Sequence, residues 1–226
     1  MKKISLFLAG LVILGFVCGG ARAALAEEFP FSVAVFHPLQ LPNETFDVGV
    51  MRLNLIYGES CTVHFIDLGL VNKTTVDQGG FQFGLVNMVD GYFHGWQEGF
   101  VNIVGGDFTG YQDGVVNSVH GNFTGWQDGM VNITGGDLKG LQTGIWNQVS
   151  TAATGLQIGI VNIAGGLSGF QIGVLNFNMS KDPLGFFPIV NLSFYSTDFV
   201  GGFIIDPVIP AGFARENGVY FFAPFL

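Results

Sequence analysis

The stretch Gly95-Trp96-Gln97-Glu98-Gly99-Phe100-Val101-Asn102 decides the fold, because it comes back every fifteen residues. It returns as Gly110-Tyr111-Gln112-Asp113-Gly114-Val115-Val116-Asn117 and again as Gly125-Trp126-Gln127-Asp128-Gly129-Met130-Val131-Asn132. Outward from this block the same unit, glycine, apolar, glutamine, any, glycine, apolar, apolar, asparagine, opens at Gly80, Gly140 and Gly155. A seventh copy opens one residue early at Gly169, and Leu141 and Leu156 replace the ring in two copies. A degenerate copy from Phe65 to Asn72 precedes them in frame, with Asp67 where glutamine stands elsewhere. So strict a period means that each unit packs chiefly against its neighbours, and the chain is an array.

Helix does not suit this unit. Each copy carries two or more glycines, each costing about 1 kcal/mol relative to alanine inside a helix. Valine, isoleucine and the aromatic residues favour extended chain. Gly105-Gly106, Gly135-Gly136 and Gly165-Gly166 supply bends in alternate units, with Asp90-Gly91 and His120-Gly121 in the equivalent places. Each unit therefore reads as one or two short strands joined by tight turns.

Two all-β architectures accommodate such a unit. In a β-solenoid one unit makes one coil, with equivalent residues about 4.8 Å apart; in an outer-membrane β-barrel one unit would supply one tilted strand. A barrel strand needs one uniformly apolar face. Here Trp96, Glu98, Phe100 and Asn102 share one parity, and Gln97, Gly99, Val101 and Ile103 share the other. Neither face suits lipid, so the reading is a repeat β-solenoid of seven or eight coils, roughly 35 Å long. The barrel is the alternative, supported by the apolar ending Tyr220 to Leu226. In a solenoid the recurring glutamines and asparagines would stack as hydrogen-bonded ladders. Asparagine would also suit left-handed corners.

The remaining chain divides around the array. Residues 1–26 read as a secretory signal: Lys2 and Lys3, an uncharged apolar run from Ile4 to Val17, then Ala24-Leu25-Ala26 for cleavage. Residues 27–64 read as N-terminal strands and a cap, 65–178 as the repeat array, and 179–226 as a proline- and aromatic-rich cap or tail. Strands are expected at 31–36 and 51–57. The expected location is exported: periplasm, outer membrane or cell surface. Taking Lys2, Lys3 and Arg22 from the eight basic residues leaves five against seventeen acidic ones, a balance of about −12. Five scattered cations make no phosphate-binding stripe, which excludes nucleic acid as a partner. Once Cys18 leaves with the signal, Cys61 has no partner for a disulfide.

The repeats, the preceding Arg52-Leu53-Asn54-Leu55-Ile56-Tyr57-Gly58 and the closing Pro183 to Asn191 together resemble bacterial exported proteins with leptospiral-type surface repeats, built from GLQIGLVN-like units. The resemblance spans about residues 50–195. It implies an exported or cell-envelope protein and supplies no catalytic residues. The aromatic and acidic units between 95 and 139 depart from the blander pattern, and the tail runs past the family's usual ending.

The variable places carry what chemistry there is. Glu98, Asp113 and Asp128 occupy the fourth place of three successive copies and would form a carboxylate ladder. A solvated acidic stripe that discourages edge-to-edge association is the plainer reading. Calcium held by these three acids is the sharper one, and no other cofactor is indicated. At the second place, Trp96, Tyr111 and Trp126 would share a face with the acids on a regular strand and would suit a carbohydrate or protein partner. Against that, the cost of leaving large apolar groups in water favours a bend that turns the rings into the core. The four histidines share no repeat position, and Cys61 near His64 reads as a small buried thiol rather than a nucleophile. The expectation is a non-enzymatic envelope or surface repeat protein with a structural or adhesive role. An outer-membrane barrel and a solenoid-type carbohydrate-active hydrolase using the three acids stand behind it.

Overall fold

A computed structural model describes residues 27–180 and 185–193. Residues 1–26, where a signal is expected, and the chain from residue 194 onward, with its apolar ending, lie outside the described residues. Twelve strands form one continuous sheet that coils into a β-solenoid of about ten turns, and no helix is present among the described residues. The strands are β1 (Glu28–Phe36), β2 (Leu39–Leu41), β3 (Asp47–Ser60), β4 (Ile66–Thr74), β5 (Gln78–Val89) and β6 (Phe93–Val104). There follow β7 (Phe108–Val119), β8 (Phe123–Thr134), β9 (Leu138–Thr143), β10 (Trp146–Ile158), β11 (Val161–Asn178) and β12 (Gly185–Ser193). From β3 to β11 every neighbouring pair is parallel, and from β4 to β9 the partners lie fifteen residues apart, as with Gly95 on Gly110 and Asn102 on Asn117. The two ends of the sheet do not pair with each other, so the barrel alternative is excluded.

The array is longer than the seven or eight coils expected. The segment 27–64 is part of the stack: its β1 and β3 run in parallel and extend the coils, and its β2 lies at the edge. Their offsets hide this in the sequence, since Phe29 faces Val48 but Phe31 faces Met51. Capping is done by two antiparallel strands, the three-residue β2 on β1 and β12 on β11. A short edge and a proline-bearing edge (Pro188) are ordinary protections against sheet extension.

Each coil bends at three places: the turn, such as Gly105-Gly106; the opening glycine; and the sixth place, such as Phe100, which the ladder skips. The opening glycines from Gly95 to Gly169 have φ between 133° and 142°, a region closed to other residues. A β-carbon on Gly110 would also stand 1.9 Å from the carbonyl oxygen of Gly95. These glycines take the left-handed backbone that was expected of asparagine; the asparagines lie inside the strands. The second glycine of the unit serves space rather than dihedral freedom, since a β-carbon on Gly114 would meet the amides of Asn102 and Asn117 within 3.0 Å.

Four side chains per coil point inward. Two columns are largely apolar: Phe93, Phe108 and Phe123 stack face to face at 4.8 and 4.9 Å and continue as Leu138 and Ala153, beside Val89, Val104, Val119, Thr134 and Val149. The other two are the amides, fully buried. Each glutamine Nε2 donates to the Oε1 one coil earlier, from Gln171 back to Gln82, at 2.7–2.8 Å. Each asparagine Nδ2 donates the opposite way, to the Oδ1 one coil later, from Asn54 to Asn176 at 2.7–2.9 Å. From Asn72 onward it donates as well to a backbone carbonyl of that next coil, such as Glu98 O from Asn87 at 2.8 Å.

The glutamine ladder needs a pure acceptor at its N-terminal end, and Asp67 is that acceptor. Its Oδ2 takes Gln82 Nε2 at 2.9 Å, and its charge is neutralised by a bidentate Arg52, with Nε to Oδ1 at 2.8 Å and Nη2 to Oδ2 at 2.6 Å. Both side chains are fully buried, and Arg52 Nη1 also reaches Lys73 O at 2.7 Å. At the far end Asn191 on β12 donates to Gln171 Oε1 at 2.7 Å.

Two outcomes are expected in urea unfolding. Asp67→Asn strands the buried Arg52 charge and costs about 3 kcal/mol or more, whereas Arg52→Gln with Asp67→Gln extends the neutral ladder and costs less than the two single changes together. Gly110→Ala meets both the forbidden dihedral and the neighbouring carbonyl, and costs about 3 kcal/mol, against within about 0.5 kcal/mol for the outward Thr109→Ala.

Candidate functional site: a ring-and-carboxylate face

Strand alternation places the second and fourth residues of each unit on either side of the buried glutamine, so both point out of the coil. The rings therefore form an outward row: Phe81, Trp96 and Trp126 are 37%, 40% and 43% exposed, and Tyr111 is half-buried between its neighbours. Consecutive rings meet edge to face or tilted, with centroids 6.2 Å apart for Phe81 and Trp96, 5.6 Å for Trp96 and Tyr111, and 5.1 Å for Tyr111 and Trp126. This overturns the expectation that the rings turn into the core. The core place is already filled by the Phe93, Phe108 and Phe123 column, and the glycine bend comes before the ring without reversing the parity that follows.

Beside the rings runs the fourth-place column, Phe83, Glu98, Asp113, Asp128 and Thr143, in direct register. The structure thus brings together the three sequence-predicted acids and the three predicted rings on one face. No lysine or arginine lies at the second or fourth places of these coils, and the ion pairs of Arg52 and Lys73 are made elsewhere. The crowding is visible in protonation. Burial, then the Asp128 charge, pushes the Asp113 carboxyl above the usual aspartate value. Burial, then the Asp113 and Asp128 charges, pushes the Tyr111 hydroxyl up.

One participant was not singled out from the sequence. Thr143 Oγ1 donates to Asp128 Oδ1 at 2.5 Å and accepts from Trp126 Nε1 at 2.9 Å, tying ring to acid through the next coil. Its signal was its position, the fourth place of the following copy. As for calcium, no group of three or more histidine, cysteine, aspartate or glutamate side chains among the described residues is set to hold a metal ion. Carboxylates projecting side by side from a flat sheet make a stripe, whereas calcium needs six to eight oxygens around it.

The other reactive groups are dispersed. Cys61 is half-buried with its thiol donating to Glu44 O at 3.5 Å, and His64 and His94 are exposed. The turn acids are structural: Asp77 and Asp107 each accept a backbone N–H from the next coil, at 2.8 and 2.7 Å. Asp137 does the same for Ala152 and also accepts from Thr151 Oγ1, which holds its carboxyl below the ordinary value.

A carboxyl whose pKa is raised on folding binds its proton more tightly in the folded state, so stability falls as pH rises through the carboxylate range. Asp113→Asn is therefore expected to raise the melting temperature at pH 7, with the gain vanishing as pH drops below the ordinary aspartate value of 3.8. Melting curves at several pH values check this; a gain equal at pH 3 and pH 7, on either side of that value, would contradict it.

Comparison with protein-family models, with curated proteins and with solved structures gives no match.

Proposed function

We propose that the protein is a non-enzymatic, exported cell-envelope or surface protein, whose repeat body presents its row of rings and carboxylates to a carbohydrate or protein partner. One observation carries this reading: the unbroken outward row of Phe81, Trp96, Tyr111 and Trp126, flanked by Glu98, Asp113 and Asp128. Apolar rings left in water on a rigid surface are characteristic of binding faces, and aromatic side chains order little further on binding because few torsions remain free. Adjacent carboxylates accept hydrogen bonds from hydroxyl or amide donors and so fix a partner's orientation. The N-terminal signal pattern and the resemblance to surface-repeat proteins support the location. The hydrolase alternative has less support, since the three acids line a flat face.

Binding to an isolated envelope polysaccharide fraction, followed by tryptophan emission and by co-sedimentation, tests the proposal. The Trp96→Ala/Trp126→Ala variant is expected to bind at least about tenfold more weakly while melting normally, because central aromatic residues dominate such contacts. If the polysaccharide does not bind, an immobilised array of envelope proteins replaces it. Binding to either that survives the double substitution removes the rings from the function.

A further inference from the structure

The side of the coil formed by the seventh and ninth places is a second outward face, uncharged and apolar but for Ser118 and Gln148 at two ninth places. Strand alternation from the buried asparagine column sends Val101, Ile103, Val116, Val131, Ile133 and Val161 out of the coil, in register from one coil to the next. Along its flank the skipped sixth-place residues are exposed, among them Phe100 and Met130. From the coil opening at Gly80 to the one opening at Gly169, seven coils in all, the sixth, seventh and ninth places hold no charged residue. Lys73, at the ninth place one coil earlier and paired with Asp90, marks where this face ends. A monomeric protein seldom leaves so long an apolar stripe in water.

We propose that this face docks against the same face of a second copy of the chain. Three observations select that occupant. First, the ridges of the face repeat at the strand spacing, about 4.8 Å, and a partner stays in register along the whole stripe only if it has the same repeat. A second copy has it by construction, and a two-fold axis makes the same patch complementary to itself. Second, about seven coils at 4.8 Å, with about 16 Å of strand across them, give roughly 500 Å² on each copy. The pair then buries about 1,000 Å², the threshold for a specific interface. Third, the face has few polar groups, and its largest donor is already paired within the face. Its one seventh-place ring, Trp146, donates its indole N–H to Gln148 Oε1 at 3.3 Å on the same face, so burial would not strand that donor. Two such faces then meet as stacked sheets about 10 Å apart. The surface is distinct from the ring-and-carboxylate face, so either reading can fail without the other.

The test is the oligomeric state of the full chain, by sedimentation velocity from about 1 to about 100 µM, a range that brackets ordinary dimer affinities. The native chain is expected to be a dimer within that range. Val131→Lys/Ile133→Lys is expected to weaken association at least about tenfold, and Val131→Thr/Ile133→Thr, which keeps the β-branched shape, to weaken it in the same direction. Thr109→Lys/Thr124→Lys, on the polar edge of the coil, leaves the dimer intact, and circular dichroism shows that each variant keeps its sheet. A native chain that stays monomeric overturns the proposal, whether or not it pellets with phosphatidylcholine vesicles. So does a dimer indifferent to both the lysine and the threonine pairs.

Discussion

The hydrogen bond from each buried amide to its counterpart one coil away is the constraint on which the rest of the structure depends. A fifteen-residue coil encloses only four side chains, and two of them are amides that water cannot reach. An unpaired buried amide costs on the order of 1–3 kcal/mol, and the partner within reach is the same residue on the next coil. The period is therefore held wherever the ladders run and free elsewhere. The seventh copy shows this. It comes one residue early, yet Gln157 and Gln171, and Asn162 and Asn176, still pair at 2.7 Å. The missing residue is absorbed at the turn, between the pairs Val149 with Ala164 and Ala152 with Gly166.

The ladders also have polarity, and polarity explains the departures from the repeat. A column of head-to-tail amides accumulates a dipole along the axis. The glutamine column points one way and the asparagine column the other, so the two offset each other within one coil. Direction is fixed chemically at both columns. Asp67 can only accept, and from Asn72 onward each asparagine spends its second N–H on a backbone carbonyl, while Asn54 gives its own to Asp67 Oδ1. A directional ladder has ends that differ in chemistry: an acceptor with its own counter-cation where Arg52 and Asp67 sit, and a donor where Asn191 closes the column. Buried polar atoms without a hydrogen-bond partner fall near the ends as well, at Ser32 Oγ, His37 Nδ1, Asn54 Oδ1 and Asn178 Nδ2 among the described residues.

Much of this was legible in the residues. The return of Gly-x-Gln-x-Gly-x-x-Asn at fifteen gave the coil, and strand parity gave the common face of Trp96 and Glu98. Asp67 was visible as a misfit, but its meaning needed the direction of the hydrogen bonds, which no residue name carries. The rings were drawn toward the core because apolar area was weighed without counting how many side chains a coil can enclose. The sequence does hold the correction, for Phe93, Phe108, Phe123 and Leu138 form a column of their own at the same period. The coils of β1 and β3 were hidden for a different reason. Their offsets drift from 19 to 20 and from 15 to 14 residues as extra residues bulge out of the ladder, and a strict period does not find them.

A body held this way restricts what a site can be. In a globule, residues distant in sequence converge on a point, whereas here neighbours in space are the same place in consecutive copies, side by side at the strand spacing. A site on this protein is therefore a row. Its composition can change one rung at a time, as Phe83, Glu98, Asp113, Asp128 and Thr143 do, while Gln82, Gln97, Gln112, Gln127 and Gln142 beside them stay the same inside. Rows are poorly suited to enclosing a small molecule or a metal ion, which need ligands from several directions. They are well suited to partners that are themselves extended or periodic: a polymer lying along the axis against the rings, or another array with the same rise against the apolar stripe.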